Sequence, residues 1–193
     1  LTEDALSSAR HWHIASYFLL ASLREAWPSW LRRCRDAGVT TSLDTNWDPA
    51  ERWAGVAEIL PLVDVFLPNA AEARAIAGEA DVTDAGRRLA EHGCLVVVKR
   101  GAAGATAFEG RTVTELDARD VTPPGEVVDS IGAGDCFDAG FLRGWMLGWD
   151  TADCLSLAHR CGRASLAAAG GFRGQLIEDV ATANESTVQR DDG

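Results

Sequence analysis

Residues 129–142 read DSIGAGDCFDAGFL. Two close glycines, Gly132 and Gly134, open an apolar run whose spacing predicts a helix. The first amides of a helix have no carbonyl of their own to bond, so they can face an anion. Asp135 falls in the first turn of this helix. The segment therefore predicts an anion site with a carboxylate beside it.

Such an arrangement suits phosphoryl transfer. The transferred group needs positioned donors that hold its charge, and the attacking hydroxyl needs a carboxylate that orients it and receives its proton. The plainer alternative is a glycine-rich helix start with Asp135 stabilised by the helix dipole.

The same segment resembles the C-terminal signature of the PfkB, or ribokinase-like, carbohydrate kinases. The match consists of an acidic residue, a small polar residue, G-A-G-D, then A-G and two apolar positions. The resemblance implies that the amides of Gly132, Ala133 and Gly134 form an anion hole and that Asp135 is the catalytic base. It further implies an ATP-dependent kinase that transfers the γ-phosphate to a hydroxyl of a sugar or sugar acid.

Composition is that of a globular protein. The chain has 193 residues, of which 47% are hydrophobic and 24% charged, enough for one domain with a sizeable core. A net charge of −11 argues against nucleic acid or an anionic membrane as partner. Five cysteines without a C-x-x-C pair indicate reduced thiols, and the sequence has neither a signal-peptide pattern nor an apolar run of transmembrane length. We expect a cytoplasmic protein.

Apolar runs alternate with amphipathic stretches in the rhythm of βα units. The pattern predicts strands at 14–20, 39–43, 62–67 and 94–98, a hairpin turning at Glu109-Gly110, and helices at 23–36, 49–60, 70–77, 83–92, 132–147 and 152–169. This order predicts one α/β domain over residues 1–183 with a mostly parallel sheet, followed by a disordered polar tail at 184–193. The resemblance specifies a Rossmann-type three-layer sandwich of the ribokinase kind.

Asn69 and Glu72 follow the predicted strand that ends at Leu67, and they resemble the family's N-x-x-E motif. The motif implies that they organise Mg²⁺ and the phosphates, with Glu72 acting largely through water. Mg²⁺ keeps part of its hydration shell in such sites. The alternative is an ordinary capping box in which Asn69 caps the helix and Glu72 bonds back.

Residues 99–104 read KRGAAG and resemble the family's nucleotide-binding turn. Gly101 and Gly104 would let the backbone approach the triphosphate, and Lys99 would add a charge. A tight turn between two strands with a solvated Lys99 is the alternative. His159 falls where some family members contact adenine, or else it is a surface histidine of a helix.

Two further sets of residues follow from the resemblance. Asp129 and Ile131 fall where many members bind a monovalent cation such as K⁺, and the carbonyls of residues 170–172 could add ligands, although a glycine pair is also a common helix C-cap. Asp44 and Asn46 resemble the D-x-N stretch of sugar kinases related to fructokinase and 2-keto-3-deoxygluconate kinase, which implies substrate binding. They could equally cap the loop before Pro49.

The resemblance covers only the later part of the family pattern. The early glycine pair, the sugar-gripping aspartate and the β-sheet lid are not found in these 193 residues, and the single methionine is Met146. We therefore expect an N-terminally truncated kinase whose open sheet edge favours a homodimer. The alternative function is a catalytically impaired, nucleotide-binding fragment or interaction protein.

Overall fold

The computed structural model describes residues 8–118, 127–171 and 175. Within these ranges six strands form one sheet, in the same order as in the sequence. They are β1 (His11–Ile14), β2 (Thr40–Leu43), β3 (Val65–Phe66), β4 (Leu95–Lys99), β5 (Ala105–Glu109) and β6 (Thr112–Leu116). The first four are parallel, while β5 and β6 each run antiparallel to the strand before them.

Helices cover both faces of this sheet. They are α1 (Trp27–Asp36), α2 (Val56–Ile59), α3 (Ala70–Ala77), α4 (Val82–Ala90), α5 (Ala133–Met146) and α6 (Thr151–Ser165). Val96 and Val98 of β4 belong to the core built with α1 to α4, whereas Val97 belongs to the core built with α5 and α6. This alternation is the period of a strand buried on both sides. The three-layer α/β sandwich expected from the sequence is confirmed.

Glycines set the close spacing between α5 and α6. A Cβ on Gly140 would lie 2.8 Å from the Ala158 Cα, and one on Gly162 would lie 3.0 Å from the Ala133 carbonyl oxygen. Side chains at these positions would push the helices apart, so their absence lets the start of α5 approach α6. The two helices thereby form one wall of the site described below.

The strand predicted at 14–20 is wrong beyond Ile14. The chain leaves β1 there, Ser16 adopts a left-handed conformation with φ 59°, and two short 3₁₀ turns follow. Tyr17 and Phe18 are nonetheless 1% and 4% exposed. The apolar run reflected burial within a turn, which periodicity alone does not distinguish from burial within a strand.

The helix predicted at 49–60 is also wrong over most of its length, because only Val56–Ile59 is α-helical. The Asp48 carboxylate accepts hydrogen bonds from the amides of Ala50, Arg52 and Trp53 at 2.8 to 2.9 Å. Such local bonds offer the backbone an alternative to a helix. The segment after Asp48 is therefore a loop.

Other boundaries differ by a few residues. The first helix starts at Trp27, four residues later than expected, and Glu109 pairs with Thr112, so the hairpin turns at Gly110-Arg111. Gly110 supplies the positive φ of this turn, at 57°. The expected tail at 184–193 lies outside the described residues.

Surface features of the described residues bear on earlier expectations. None of their helices has both the length and the apolar character needed to cross a bilayer. All five cysteines lie in the described ranges, and none of them forms a disulfide there. Strand β1 lies at one edge of the sheet, and the expected homodimer stays a prediction.

Replacing Gly86 of α4 should destabilise the fold. A Cβ there would overlap the ring of Phe108, which is 1% exposed. Helix propensity alone makes Gly86→Ala stabilising by about 1 kcal/mol. We expect overpacking to reverse the sign and lower the free energy of unfolding by about 1 to 3 kcal/mol in urea denaturation. The exposed neighbour supplies the control, Arg87→Ala, and a more stable Gly86→Ala protein would contradict the packing described.

Candidate active site

The start of α5 carries the residues singled out from the sequence. Gly132 is the N-cap with φ 79°, Ala133 begins the helix, and Gly134 and Asp135 lie in its first turn. A Cβ on Gly132 would lie 2.6 Å from the Gly171 Cα, so both the conformation and the space require glycine. First-turn amides lack acceptors within their own helix, and Asp135 is exposed. This helix start is therefore suited to hold an anion.

A cleft of about 380 Å³ opens beside this helix start. It brings together six residues that the sequence assigned to the anion hole, the nucleotide turn and the adenine contact: Lys99, Gly101, Gly104, Ala133, Gly134 and His159. Asp135 does not line this cleft and borders a smaller cavity of about 200 Å³ with Cys136 and Ala139. Asp135 directly follows Gly134, which does line the cleft.

The nucleotide-like turn needs both of its glycines. The Arg100 amide donates to the Gly104 carbonyl at 2.8 Å, which closes the turn. Gly101 and Gly104 have φ values of 57° and 98°, and a Cβ on Gly104 would overlap the Leu116 carbonyl oxygen. The turn therefore presents backbone to the cleft.

His159 is a buried residue of α6, and so the structure does not fit an exposed surface histidine. Its side chain is 4% exposed, and its Nε2 atom has no hydrogen-bond partner among the described residues. Burial lowers the pKa of His159, and the Arg163 guanidinium lowers it further. His159 thus lines the cleft as a neutral imidazole whose buried Nε2 has no hydrogen-bond partner among the described residues.

Lys99 lies at the end of β4 between two carboxylates. Its ammonium donates to Asp44 Oδ2 at 3.0 Å and to both Oδ1 and Oδ2 of Asp138 at 3.0 Å. The Lys99, Asp44 and Asp138 side chains are 12%, 13% and 2% exposed, so the structure does not fit a solvated lysine. We refer to these three residues as the lysine cluster.

Burial and pairing act in opposite directions within the lysine cluster. Burial alone would lower the pKa of Lys99, but Asp138 and Asp44 outweigh it and raise that pKa. Burial would raise the pKa of Asp44, yet Lys99 and hydrogen bonds lower it on balance. Burial raises the pKa of Asp138 well above its ordinary value, with Lys99 opposing. The cluster therefore holds a charged lysine, and Asp138 is the carboxyl that takes up a proton first on acidification.

The D-x-N segment is folded on itself. Asp44 Oδ1 accepts from the Asn46 amide at 2.9 Å, and Asn46 Nδ2 donates to Ser16 Oγ at 3.3 Å. The alternative of a loop cap is thus observed for Asp44, which also bonds Lys99, a residue that lines the cleft. Substrate binding by Asp44 and Asn46 stays a prediction.

Asn69 and Glu72 form a complete capping box at the start of α3. Asn69 Oδ1 accepts from the Glu72 amide at 2.9 Å, and Glu72 Oε2 accepts from the Asn69 amide at 2.9 Å. Asn69 Nδ2 also donates to Glu72 Oε1 at 2.6 Å. Glu72 is 4% exposed, and its burial raises its pKa. The alternative of an ordinary cap is thus observed, and a metal role for the pair stays a prediction.

Asp129 joins the two segments expected around a monovalent cation. Its Oδ1 accepts from the Ile131 amide and its Oδ2 from the Gly170 amide, both at 3.0 Å. The Gly170 and Ile131 amides lower the pKa of Asp129. Phe172 lies outside the described residues, within which no cluster of three His, Cys, Asp or Glu side chains could hold a metal. Cation binding at Asp129 and Ile131 stays a prediction.

The model of the pfkB family carbohydrate kinases matches residues 1–174. The chain belongs to this family. The resemblance found at the start of α5 and at the turn after β4 is thereby confirmed. The specific roles of individual residues stay predictions.

Three relatives of this pfkB family member illustrate the similarity. A cytidine kinase of Thermococcus kodakarensis is 40% identical over 101 residues, 52% of this chain and 36% of that protein. A 2-dehydro-3-deoxygluconokinase of Bacillus subtilis is 28% identical over 180 residues, 89% of this chain and 55% of that protein. A candidate ribokinase II of Escherichia coli, solved with ATP and Mg²⁺, superposes with a TM-score of 0.79 at 25% identity over 91% of this chain and 58% of that one. The chain thus spans about half the length of the relatives it matches.

A polar chain on β1 and β2 was missed in the sequence. His11 Nδ1 lies 2.9 Å from Thr40 Oγ1, His11 Nε2 lies 2.8 Å from Ser42 Oγ, and His13 Nδ1 lies 2.8 Å from the same Ser42 Oγ. Thr40 Oγ1 itself donates to the Arg10 carbonyl. The network therefore assigns the proton of a neutral His11 to Nδ1. The H-x-H spacing was the available signal, but the predicted strand began only at Ile14.

His11 should make the stability of this pfkB family protein depend on pH. Burial, then His13, lowers the pKa of His11 from 6.5 to about 4, against an opposing effect of Asp64. The unfolded chain takes up this proton at a higher pH than the fold does, so stability is lost as pH falls from 6.5 towards about 4. We expect the free energy of unfolding of His11→Asn to fall less over this window in urea titrations.

The matched control for this titration is His92→Asn, since His92 lies beyond α4 and outside the polar chain. The difference between the pH slopes of the two variants isolates the contribution of the polar chain. An unchanged slope in His11→Asn would show that His11 does not titrate abnormally in the fold.

Proposed function

We propose that this chain forms the nucleotide-binding and base-carrying part of an ATP-dependent sugar kinase. The observation that carries the proposal is the cleft in which the start of α5, the turn at Gly101 to Gly104 and His159 meet. An anion hole, a backbone cradle and an unpaired buried nitrogen in one cleft together fit a nucleotide.

Asp135 acts as the base in this proposal. It is exposed in the first turn of α5, so an acceptor hydroxyl can reach it. Asp135 orients the hydroxyl and receives its proton during in-line attack. The amides of Ala133 and Gly134 stabilise the charge that develops on the transferred group. Gly132 supplies the left-handed cap that aims these amides.

The residues present fit ATP and Mg²⁺. Gly101 leaves open space for a phosphate beside the backbone, and His159 Nε2 offers a hydrogen bond to the base. Bound Mg²⁺-ATP supplies the phosphoryl group and neutralises its charge. Both Glu72 oxygens already bond Asn69, so contact through water is the arrangement that fits these two residues. Asp129 accepts one hydrogen bond at each carboxylate oxygen, which leaves lone pairs for K⁺, and the main-chain carbonyl of Ile131 is a second ligand in this proposal.

The relatives support a proposal for the acceptor class. One is named for 2-dehydro-3-deoxygluconate and another for cytidine, so family members with this half of the fold phosphorylate hydroxyls on different scaffolds. We propose a sugar or sugar acid that approaches Asp135 from the side of Asp44 and Asn46. Five cysteines without a disulfide among the described residues fit a reducing compartment, and we place the protein in the cytoplasm.

The decisive experiment is ATP-dependent phosphorylation across a panel of sugars and sugar acids. It uses the 193-residue chain and, where the natural reading frame extends beyond these residues, its complete product. We expect Asp135→Asn to lower kcat by about 100- to 10,000-fold, because it removes the proton acceptor, while the nucleotide Kd changes by less than about threefold. The matched control is Asp153→Asn, which changes an exposed first-turn aspartate of α6.

Equal turnover in Asp135→Asn would show that another group is the base. Nucleotide binding without turnover in every protein tested would favour the alternative of a catalytically impaired, nucleotide-binding relative. Turnover only in the complete protein would show that its acceptor site needs further residues.

His159 gives a second test, directed at the nucleotide. His159→Ala removes the unpaired nitrogen and should weaken ATP and ADP binding about five- to tenfold in calorimetry, the value of one hydrogen bond. His92→Ala is the control, and thermal unfolding checks that His159→Ala remains folded. Unchanged nucleotide affinity would remove His159 from the site.

A further inference from the structure

The lysine cluster joins three separate segments at the edge of the cleft. Asp44 follows β2, Lys99 ends β4, and Asp138 lies in α5. The two ion pairs connect residues 55 and 39 positions apart in the sequence. One ammonium therefore fixes a helix and two strand ends to one another.

Asp138 lies one helical turn after Asp135, and the two aspartates differ in exposure. Asp138 is 1% exposed and bonds Lys99 through both oxygens, whereas Asp135 is exposed. The position that a Cβ would occupy on Gly134 lies 3.8 Å from Lys99 Nζ. Lys99 Nζ thus lies beside the first turn of α5 and bonds Asp138 in its second turn, which restrains the amides between them.

A direct contact between Lys99 and a phosphate fits these distances less well. An ammonium has three protons, and Lys99 Nζ has three carboxylate oxygens at 3.0 Å. Its single charge faces two carboxylates, so little is left to attract a further anion. The side chain lines the cleft, but its polar end is already bonded.

We propose that Lys99 is a positioning residue, which acts through Asp138 and Asp44 to hold the anion hole and Asp135 against the acceptor side. This inference rests on the proposed kinase function. Misplacing reacting groups by about 1 Å costs on the order of 100-fold in rate. Loss of the cluster should therefore reduce turnover more than it reduces nucleotide binding.

The test uses variants that leave no buried charge without a partner. Lys99→Met alone would leave two buried carboxylates together and could unfold the protein. The double variant K99M/D138N removes one positive and one negative charge, and the new amide can donate to Asp44. D138N alone keeps an oxygen for Lys99 and tests a partial loss. The control is the double variant E79Q/R88M. It removes an exposed ion pair outside the lysine cluster, in which a guanidinium nitrogen lies 2.8 Å from a carboxylate oxygen.

We expect kcat to fall about 100-fold in K99M/D138N and only several-fold in D138N, with the KM for ATP within about threefold of the unsubstituted protein. The E79Q/R88M control should retain its turnover. Unchanged kcat in a folded K99M/D138N protein would overturn the proposal. A rise of tenfold or more in the KM for ATP with unchanged kcat would do so too, because it would make Lys99 a phosphate contact.

Hydrogen exchange separates this proposal from the kinase function itself. If the unsubstituted protein binds nucleotide without turnover, the kinase proposal fails, but the positioning role still predicts faster exchange. In K99M/D138N the amides of residues 134–138 should exchange at least about tenfold faster, while those at the start of α6 stay unchanged. If the substitutions changed the exchange rates of residues 134–138 and of the start of α6 to the same extent, the positioning role would be overturned.

Discussion

A lysine ammonium at the end of β4 is withdrawn from water together with the two carboxylates that it bonds. Each buried ion costs several kcal/mol unless its partners are well placed, so the surrounding segments must keep their positions for the cluster to persist. The end of β2, the end of β4 and the second turn of α5 are those segments. A polar contact thereby specifies the positions of the strand ends beside the cleft, whereas apolar packing specifies the rest of the sandwich.

The start of α5 is restrained from two directions. The lysine cluster bonds Asp138 on the side of the sheet, and on the side of α6 the glycine positions allow backbone to approach backbone. A Cβ on Gly132 would be too close to Gly171, and a Cβ on Gly162 would be too close to the Ala133 carbonyl. Either substitution would require the neighbouring backbone to shift. The amides of this turn are thus fixed without any ligand, as preorganised electrostatic stabilisation requires.

Local patterns predicted the elements that carry the motifs. The helix at α5 was expected at 132–147 and observed at Ala133–Met146, and the cap at Asn69 was read from N-x-x-E alone. These features depend on neighbours within one or two turns. The lysine cluster joins residues 39 and 55 positions apart, so no spacing in the sequence indicates it. Positions 135 and 138 are both aspartate, and the sequence alone did not show that the first is exposed and the second buried.

The loop after Asp44 is held by a different kind of interaction. Asn46, Glu51 and Trp53 all have positive φ values. For a residue other than glycine, a strained conformation of this kind costs on the order of 1 to 3 kcal/mol. Asp48 compensates by accepting three backbone hydrogen bonds within the same loop. The sequence pattern predicted a helix here because it reflects helix propensity and does not include hydrogen bonds from a side chain to the backbone. The start of α5 is therefore held by long-range contacts, while the loop after Asp44 keeps its shape through bonds that it makes to itself, so a sequence change in that loop can alter its shape with little effect on the first turn of α5.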